Sequence, residues 1–198
     1  QVLEKLNNIV NGEAIIATDV GQHQMWAAQY LSFNKPNTIL TSGGSGTMGY
    51  GLPAAIGAKV AMPDSKVIAI VGDGGFQMTY QELMLITQYN LPIKVVIINN
   101  SYLGMVRQWQ EIFFNKRYSF VDLNINPDFG KIAEAYGIKF LTVDNLEKLE
   151  KDFKDAIESD EAIIINCIVE KEANVLPMIP SGTSVSEIVG IRGVIDYE

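Results

Sequence analysis

The chain has 198 residues and a mass of 21.8 kDa, and with 47% hydrophobic and 19% charged residues it carries the apolar material of one packed core, which excludes a disordered or fibrous chain. Its 15 Lys and Arg stand against 23 Asp and Glu, and the net charge of -8 argues against a nucleic-acid or anionic-membrane surface. The single cysteine, Cys167, excludes an internal disulfide framework and fits a reducing compartment, cytoplasmic or an organelle stroma. No apolar stretch approaches the ~20 residues that span a bilayer. The chain opens Gln1-Val-Leu-Glu-Lys5, which has neither a signal-peptide pattern nor an initiating methionine, as expected of a piece of something longer.

Charge is uneven: residues 36–100 hold six charged side chains and residues 130–172 hold seventeen, so the first stretch is expected to be largely buried. In chain order, the β-branched-rich run 14–18 predicts a strand buried on both faces, followed by Gly21-Gln22-His23. His23 is the only histidine. Its residue type suggests a surface or satisfied core position, but its place after a strand, where a phosphate site is expected, favours a hydrogen bond to an anion. Residues 43–57 hold six glycines around Gly46 and Met48 and predict a loop leading into a closely packed helix. A second strand, 67–71, ends in Gly72-Asp73-Gly74-Gly75, and the helix after it carries Glu82, expected at a cap or in solvent. A third, 93–98, ends in Asn99-Asn100-Ser101-Tyr102. The segment from Gly104 to Trp109 opens a helix on which Met105 and Trp109 share a face; a core stripe and a pocket wall have the same spacing. Phe129, Ile132, Ala133 and Tyr136, with Pro127 near the first turn, mark another helix. Leu146, Leu149, Phe153 and Ile157 mark a third, spanning 145–160 with a solvated polar face. Run 162–169 is the fourth strand and encloses Cys167 as a small buried hydrophobe. The stretch from Val175 to Gly190, with Pro177, Pro180 and Gly182, is too irregular for core.

Strands alternating with helices predict an α/β fold over residues 1–198: a three-layer α/β/α domain with a mostly parallel central sheet. Such sheets bind ligands at the carboxyl ends of their strands. Two of those ends carry oxygen ligands, Asp73 and, 27 positions on, Asn100. Gly-Asp-Gly or Asn-Asn alone is a common structural turn or strand end. Together, after consecutive buried strands, they suit a hard cation such as magnesium, which takes few ligands from protein and completes its shell with phosphate oxygens and water.

Gly72-Asp73-Gly74 followed by Asn99-Asn100 resembles the cofactor motif of thiamine diphosphate enzymes. Within them the chain resembles the acetolactate synthase (acetohydroxyacid synthase) family, large catalytic subunit. The stretches concerned run from Asp19 to Ala28, Gly46 to Gly57, Gly104 to Gln110, Arg117 to Ser119, Asn126 to Phe129 and Val175 to Met178, nearly the whole chain. The resemblance implies the C-terminal third of a three-domain enzyme that joins pyruvate to a second 2-keto acid in branched-chain amino acid biosynthesis. It implies magnesium on Asp73, Asn100 and the Tyr102 carbonyl. It implies thiamine diphosphate on Gly21, Gln22, His23, Gly46, Gly72, Gly74, Gly75, Gly104 and Met105, with Met48 wedged between the cofactor's rings. Met105, Val106 and Trp109 would line the substrate pocket, extended by Phe113 and Phe114. The stretch from Val175 to Gly190 would cover the site.

By the same resemblance the glutamate that activates the cofactor comes from a partner subunit's domain absent here, so this chain alone is expected to be inactive. Flavin (FAD) would contact an absent middle domain, a homodimer would form through the thiamine diphosphate domains, and a regulatory subunit would join. Other thiamine diphosphate decarboxylases or oxidases, and a non-catalytic domain retaining the fold, are the competing readings. A nicotinamide-binding domain is disfavoured because no Gly-x-Gly-x-x-Gly follows the first strand.

Overall fold

A computed structural model describes residues 1–190. Six strands form one sheet, β1 (Ile15–Thr18), β2 (Ile39–Thr41), β3 (Val67–Gly72), β4 (Ile93–Asn99), β5 (Lys139–Val143) and β6 (Ile163–Ile168), in the order β2-β1-β3-β4-β6-β5. Every pairing is parallel. The four predicted strands are the interior ones, and β1, β3 and β4 are buried along their whole length. The two edge strands escaped the sequence pattern because they are short and only half covered. β2 has three residues and β5 begins on exposed Lys139, so neither shows the continuous apolar run of a strand buried on both faces.

Helices cover both faces of the sheet. Helices α1 (Val2–Val10), α2 (Gln22–Tyr30), α8 (Leu146–Glu150) and α9 (Asp152–Glu158) pack on Ile16, Ile68, Ile70, Val96 and Ile165. Helices α3 (Gly51–Ala61), α4 (Asp73–Thr79), α5 (Leu83–Gln88) and α7 (Phe129–Ala135) pack on Ala17, Ala69, Val71, Val95 and Ile97. Alternate residues of each strand thus serve opposite layers. Charged residues of the low-charge stretch are buried with their ends on carbonyls, Lys59 on those of Pro63 and Ser65, and Lys94 on that of Glu161. No helix among the described residues is long and apolar enough to cross a membrane.

Three expectations change. The helix over 145–160 is two helices with Lys151 at their junction, and Leu146 is 62% exposed, so the buried stripe starts at Leu149. Glu82 ends a 3-10 turn, Tyr80–Glu82, rather than lying on the helix after Asp73. The stretch after β6 is partly core, since Val175, Met178 and Val189 are buried and Met178 bridges Val189. Cys167 is buried as expected, and burial pushes its thiol up to about 12.

The strand order sets the position of the site. β1 continues through α2 to β2 on one side, while β3 continues through α4 and α5 to β4 on the other. The two connections diverge and open a crevice at the carboxyl ends of β1 and β3. One roof of that crevice is braced by Phe76 of α4, fully buried and edge-on to Phe129 of α7 at 5.4 Å. Replacing Phe76 by Ala is expected to cost about 3–5 kcal/mol, whereas Leu146→Ala should stay within about 0.5 kcal/mol; urea unfolding of both variants checks the difference.

Candidate functional site

A cavity of about 290 Å³ lies in this crevice. The loop after β1 contributes Gly21, Gln22 and His23, and the loop after β2 contributes Gly46 and Met48. Gly72, Asp73, Gly74 and Gly75 come from the junction of β3 and α4. Asn100, Tyr102, Gly104, Met105 and Val106 come from β4 and the start of α6 (Gly104–Phe113). The structure therefore brings together every residue singled out for cofactor and metal. Trp109 is not in the cavity wall: it is 36% exposed and packs on Phe113 at 5.0 Å. With Phe113 and Phe114, both exposed, it forms an apolar surface at the end of α6 beyond the cavity, while exposed Val106 belongs to the cavity wall.

Asp19 organises these loops, and sequence reasoning assigned it no role. Its side chain is fully buried at the end of β1. One oxygen accepts from the Val20 N–H (2.7 Å) and the Gly49 N–H (3.0 Å), the other from the Gly51 N–H (3.0 Å). Three backbone donors compensate the buried charge and tie the Met48 loop to β1. Its signal was a carboxylate directly after a buried strand, the same signal that marked Asp73.

Besides α4, which starts at Asp73, two helices begin at the cavity. α2 starts after Gly21, whose φ of 149° suits glycine, and α6 starts after Leu103; neither has a side-chain cap. The first-turn N–H groups of Gln22, His23, Gly104 and Met105 have no acceptor within their helices, and the dipoles place positive potential there. Glycine at 104 is required by crowding, since a Cβ would meet Gln22 Oε1 at 2.1 Å. Among the described residues, His23 Nε2 is buried without a hydrogen-bond partner. Burial holds this imidazole down at about 4, while the neighbouring Asp19 charge pulls the other way.

Into the same cavity points Asp73, 1% exposed. Burial raises its carboxyl above the ordinary value, and hydrogen bonds from Asn126 and backbone N–H groups offset part of that. Asn100 donates to Gln22 Oε1 (3.1 Å) and accepts from the Tyr102 N–H (3.1 Å). Ser101 is held at a φ of 58° while its N–H donates to Asn99 Oδ1 (3.1 Å), and Asn99 donates to Asn166 of β6 (3.1 Å). Tyr102 bridges Asp122, but the bonds of that bridge run from Leu103 to Val121 and from Leu123 to Ser101. The Tyr102 carbonyl thus accepts no hydrogen bond among the described residues. No group of three His, Cys, Asp or Glu placed to hold a metal ion exists among the described residues. One carboxylate with neutral amide and carbonyl oxygens suits a hard divalent cation of the magnesium, calcium or manganese kind rather than a soft metal ion.

The Gln22 side chain is fully engaged and faces the protein. Its amide donates to Gln108 Oε1 and to the Ala173 carbonyl, each at 2.9 Å. Gln108, fully buried, in turn accepts from the Val175 N–H (2.7 Å) and donates to the Val175 carbonyl (3.0 Å). Only the backbone of Gln22 is available to a diphosphate.

The buried imidazole sets a pH dependence. The unfolded chain takes up a proton near pH 6.5 and the folded chain only near 4. Folding stability is therefore complete above pH 6.5 and falls by up to about 3 kcal/mol as pH drops to 4. Chemical denaturation across this window should show the slope in the parent chain and a flatter one in His23→Gln.

The family model for the C-terminal TPP binding domain of thiamine pyrophosphate enzymes matches residues 19–167, the span that holds the whole cavity wall. The acetolactate synthase large subunit of Lactococcus lactis subsp. lactis is 51% identical over 192 residues, 97% of this chain and 33% of that protein. The acetolactate synthase of Mycobacterium leprae is 50% identical over 202 residues, covering 98% of this chain and 32% of its own length. The mitochondrial acetolactate synthase catalytic subunit of Saccharomyces cerevisiae is 46% identical over 191 residues, 95% of this chain and 28% of that protein. The chain spans about a third of the length of these relatives. By its sheet, its crevice and this match, the chain belongs to the thiamine pyrophosphate enzyme family and comprises that family's C-terminal TPP binding domain.

Proposed function

We propose that this chain forms the diphosphate- and magnesium-binding half of the active site of an acetolactate synthase large subunit. One observation carries the reading: a single cavity combines the buried Asp73 carboxylate with two uncapped helix starts and the unpartnered Nε2 of His23. The helix starts attract an anion and the carboxylate repels it, so both are satisfied only with a cation between them. Thiamine diphosphate with magnesium is the ligand of that description in this family, and the residues fit it. Asp73, the Asn100 amide oxygen and the free Tyr102 carbonyl would hold the metal. Backbone N–H groups of Gln22, His23, Gly104 and Met105 would meet the diphosphate, and His23 Nε2 would donate to one of its oxygens.

When bound, thiamine diphosphate supplies the carbanion chemistry that joins pyruvate to a second 2-keto acid. Met48 offers an apolar side chain to the cofactor's bend, and its terminal carbon lies 3.8 Å from where a Gly74 side chain would begin. Among the described residues Asp73 is the only carboxylate in the cavity wall, and it would be committed to the metal. The resemblance to the family implies that the proton-handling carboxylate would come from the amino-terminal domain of a partner subunit in a homodimer. We place the chain as the C-terminal third of a three-domain enzyme whose middle domain meets flavin and which associates with a regulatory subunit. The apolar surface around Trp109 becomes a substrate-pocket wall once the other domains cover it. That the relatives matching nearly all of this chain are named acetolactate synthase supports the choice of reaction.

Calorimetric titration of thiamine diphosphate should show magnesium-dependent binding that Asp73→Ala abolishes; unchanged affinity in the variant refutes the site. The 198-residue chain should show no measurable synthase turnover, and a rate near that of a full-length relative would overturn the divided active site. In the full-length enzyme, Trp109→Leu should change the ratio of 2-acetolactate to 2-aceto-2-hydroxybutyrate more than it changes cofactor affinity. An unaltered ratio would make Trp109 a packing residue.

A further inference from the structure

A side-chain amide accepts at its oxygen and donates at its nitrogen, and its neighbours decide which of the two faces a cation. Asn100 lines the cavity with its Nδ2 donating to Gln22 Oε1 (3.1 Å) and its Oδ1 accepting from the Tyr102 N–H (3.1 Å). Gln22 is held in turn at its nitrogen, which donates to two oxygens, the Ala173 carbonyl and Gln108 Oε1, each at 2.9 Å. Gln108 cannot reverse either. Its oxygen accepts from the Val175 N–H (2.7 Å), and its nitrogen donates to the Val175 carbonyl (3.0 Å) and to Met178 Sδ (3.3 Å). A backbone N–H and C=O cannot exchange places, so the segment after β6 imposes one orientation on Gln108, then on Gln22, then on Asn100. All three side chains are buried, and a reversed amide would set oxygen against oxygen there. The Gln22 and Asn100 amides also pack directly on Gly104, where a Cβ would lie 2.1 Å from Gln22 Oε1 and 2.7 Å from Asn100 Nδ2.

We propose that Gln22 is a positioning residue for the metal site: through it the backbone of Ala173, and that of Val175 by way of Gln108, fixes the Asn100 amide with its oxygen rather than its nitrogen toward the cation. The inference rests on the reading of Asn100 as a metal ligand. An amide oxygen has two lone pairs, of which the Tyr102 N–H takes one and leaves the other to a cation. A reversed Asn100 would turn N–H groups toward the metal and press its oxygen on Gln22 Oε1, and the cation would lose one of the few ligands it takes from protein. The Gln22 side chain, which the family resemblance assigns to the diphosphate, thus serves the metal and does so from behind its ligand. Groups that orient metal ligands in this way typically change metal affinity about 10- to 100-fold when removed.

The test is calorimetric titration of thiamine diphosphate into the full chain at a series of magnesium concentrations, which gives for each variant the magnesium needed for half-maximal cofactor binding. Gln22→Met keeps the reach of the side chain and removes its polar ends. It should raise the magnesium requirement about 10- to 100-fold, with cofactor affinity recovering as magnesium is raised. Gln108→Leu should raise it by less, because the Ala173 carbonyl still holds Gln22. The double variant should need no more magnesium than Gln22→Met alone, since Gln108 acts only through Gln22. Val175→Ala thins the same packing but leaves the backbone polarity in place, so it should lower the urea midpoint without moving the magnesium requirement. Urea midpoints report the fold of every variant, and Gln22→Met decides the role even where Gln108→Leu does not fold. A cofactor deficit in Gln22→Met that is equal at all magnesium concentrations, no deficit at all, or an equal shift in Val175→Ala would overturn the positioning role while Asn100→Ala still abolished magnesium-dependent binding. Losses that multiply in the double variant would overturn the route through Gln22. Magnesium-dependent binding retained by Asn100→Ala would instead refute the reading of Asn100 as a metal ligand and the inference with it.

Discussion

A carboxylate shut away from water must find its donors in the protein, and Asp19 finds them in the backbone of another loop. Its oxygens hold the N–H groups of Val20, Gly49 and Gly51. Losing such a partner would leave buried donors unsatisfied, at a cost of about 1–3 kcal/mol each. The consequence is spatial: the end of β1, the Met48 loop and the start of α3 meet at one point. α4 closes on it so tightly that a Cβ at Gly75 would lie 2.7 Å from Asp19 Oδ1, and one at Gly51 would lie 2.6 Å from the Asp19 nitrogen. Two of the glycines around the cavity are therefore glycines because of Asp19.

On that frame the chain assembles opposing electrostatics. Two helix starts attract an anion, and in the same cavity a buried carboxylate repels one. Neither part is comfortable without a ligand, as the raised Asp73 carboxyl and the orphaned His23 nitrogen both show. Binding sites are commonly drawn from such locally unfavourable arrangements, held in place by the stability of the surrounding fold. Here the surroundings are a parallel sheet whose three central strands are almost wholly buried.

The polar groups behind the cavity matter as much as those in it. Asn100 is steadied by Gln22, Gln22 by Gln108, and Gln108 by the backbone of Val175. Asp73 is steadied by Asn126, and Asn126 by Gln77. The Asn100 and Asp73 side chains each have a neighbour whose own alternatives are already used, which is how a site is held to the tolerance that ligand binding requires. The first of these chains also ties the segment after β6 to the Asn100 side of the cavity, so that segment is partly core and not merely a cover.

By itself the sequence determined the fold class, the four interior strands and the placing of Asp73 and Asn100 at strand ends, whereas the rest of the cavity wall was named only through the family resemblance. What it determined is local: apolar runs mark strands buried on both faces, and residues just past a strand end stand at the sheet's carboxyl edge wherever the strands lie. What it left open depends on contacts between distant segments. The edge strands β2 and β5 are strands only because β1 and β6 offer them hydrogen bonds. Gln22 reads as a diphosphate residue from its place in the chain, and only the fold turns its side chain toward Gln108, 86 positions away. Trp109 shares a helical face with Met105, yet only the packing of α6 decides that one enters the cavity and the other does not. Asn126 sits 53 positions from Asp73 with nothing local to relate them. Strand and helix periodicity is written within a few residues, whereas the partner of a side-chain amide is chosen by the tertiary fold, which brings donor and acceptor to hydrogen-bond distance.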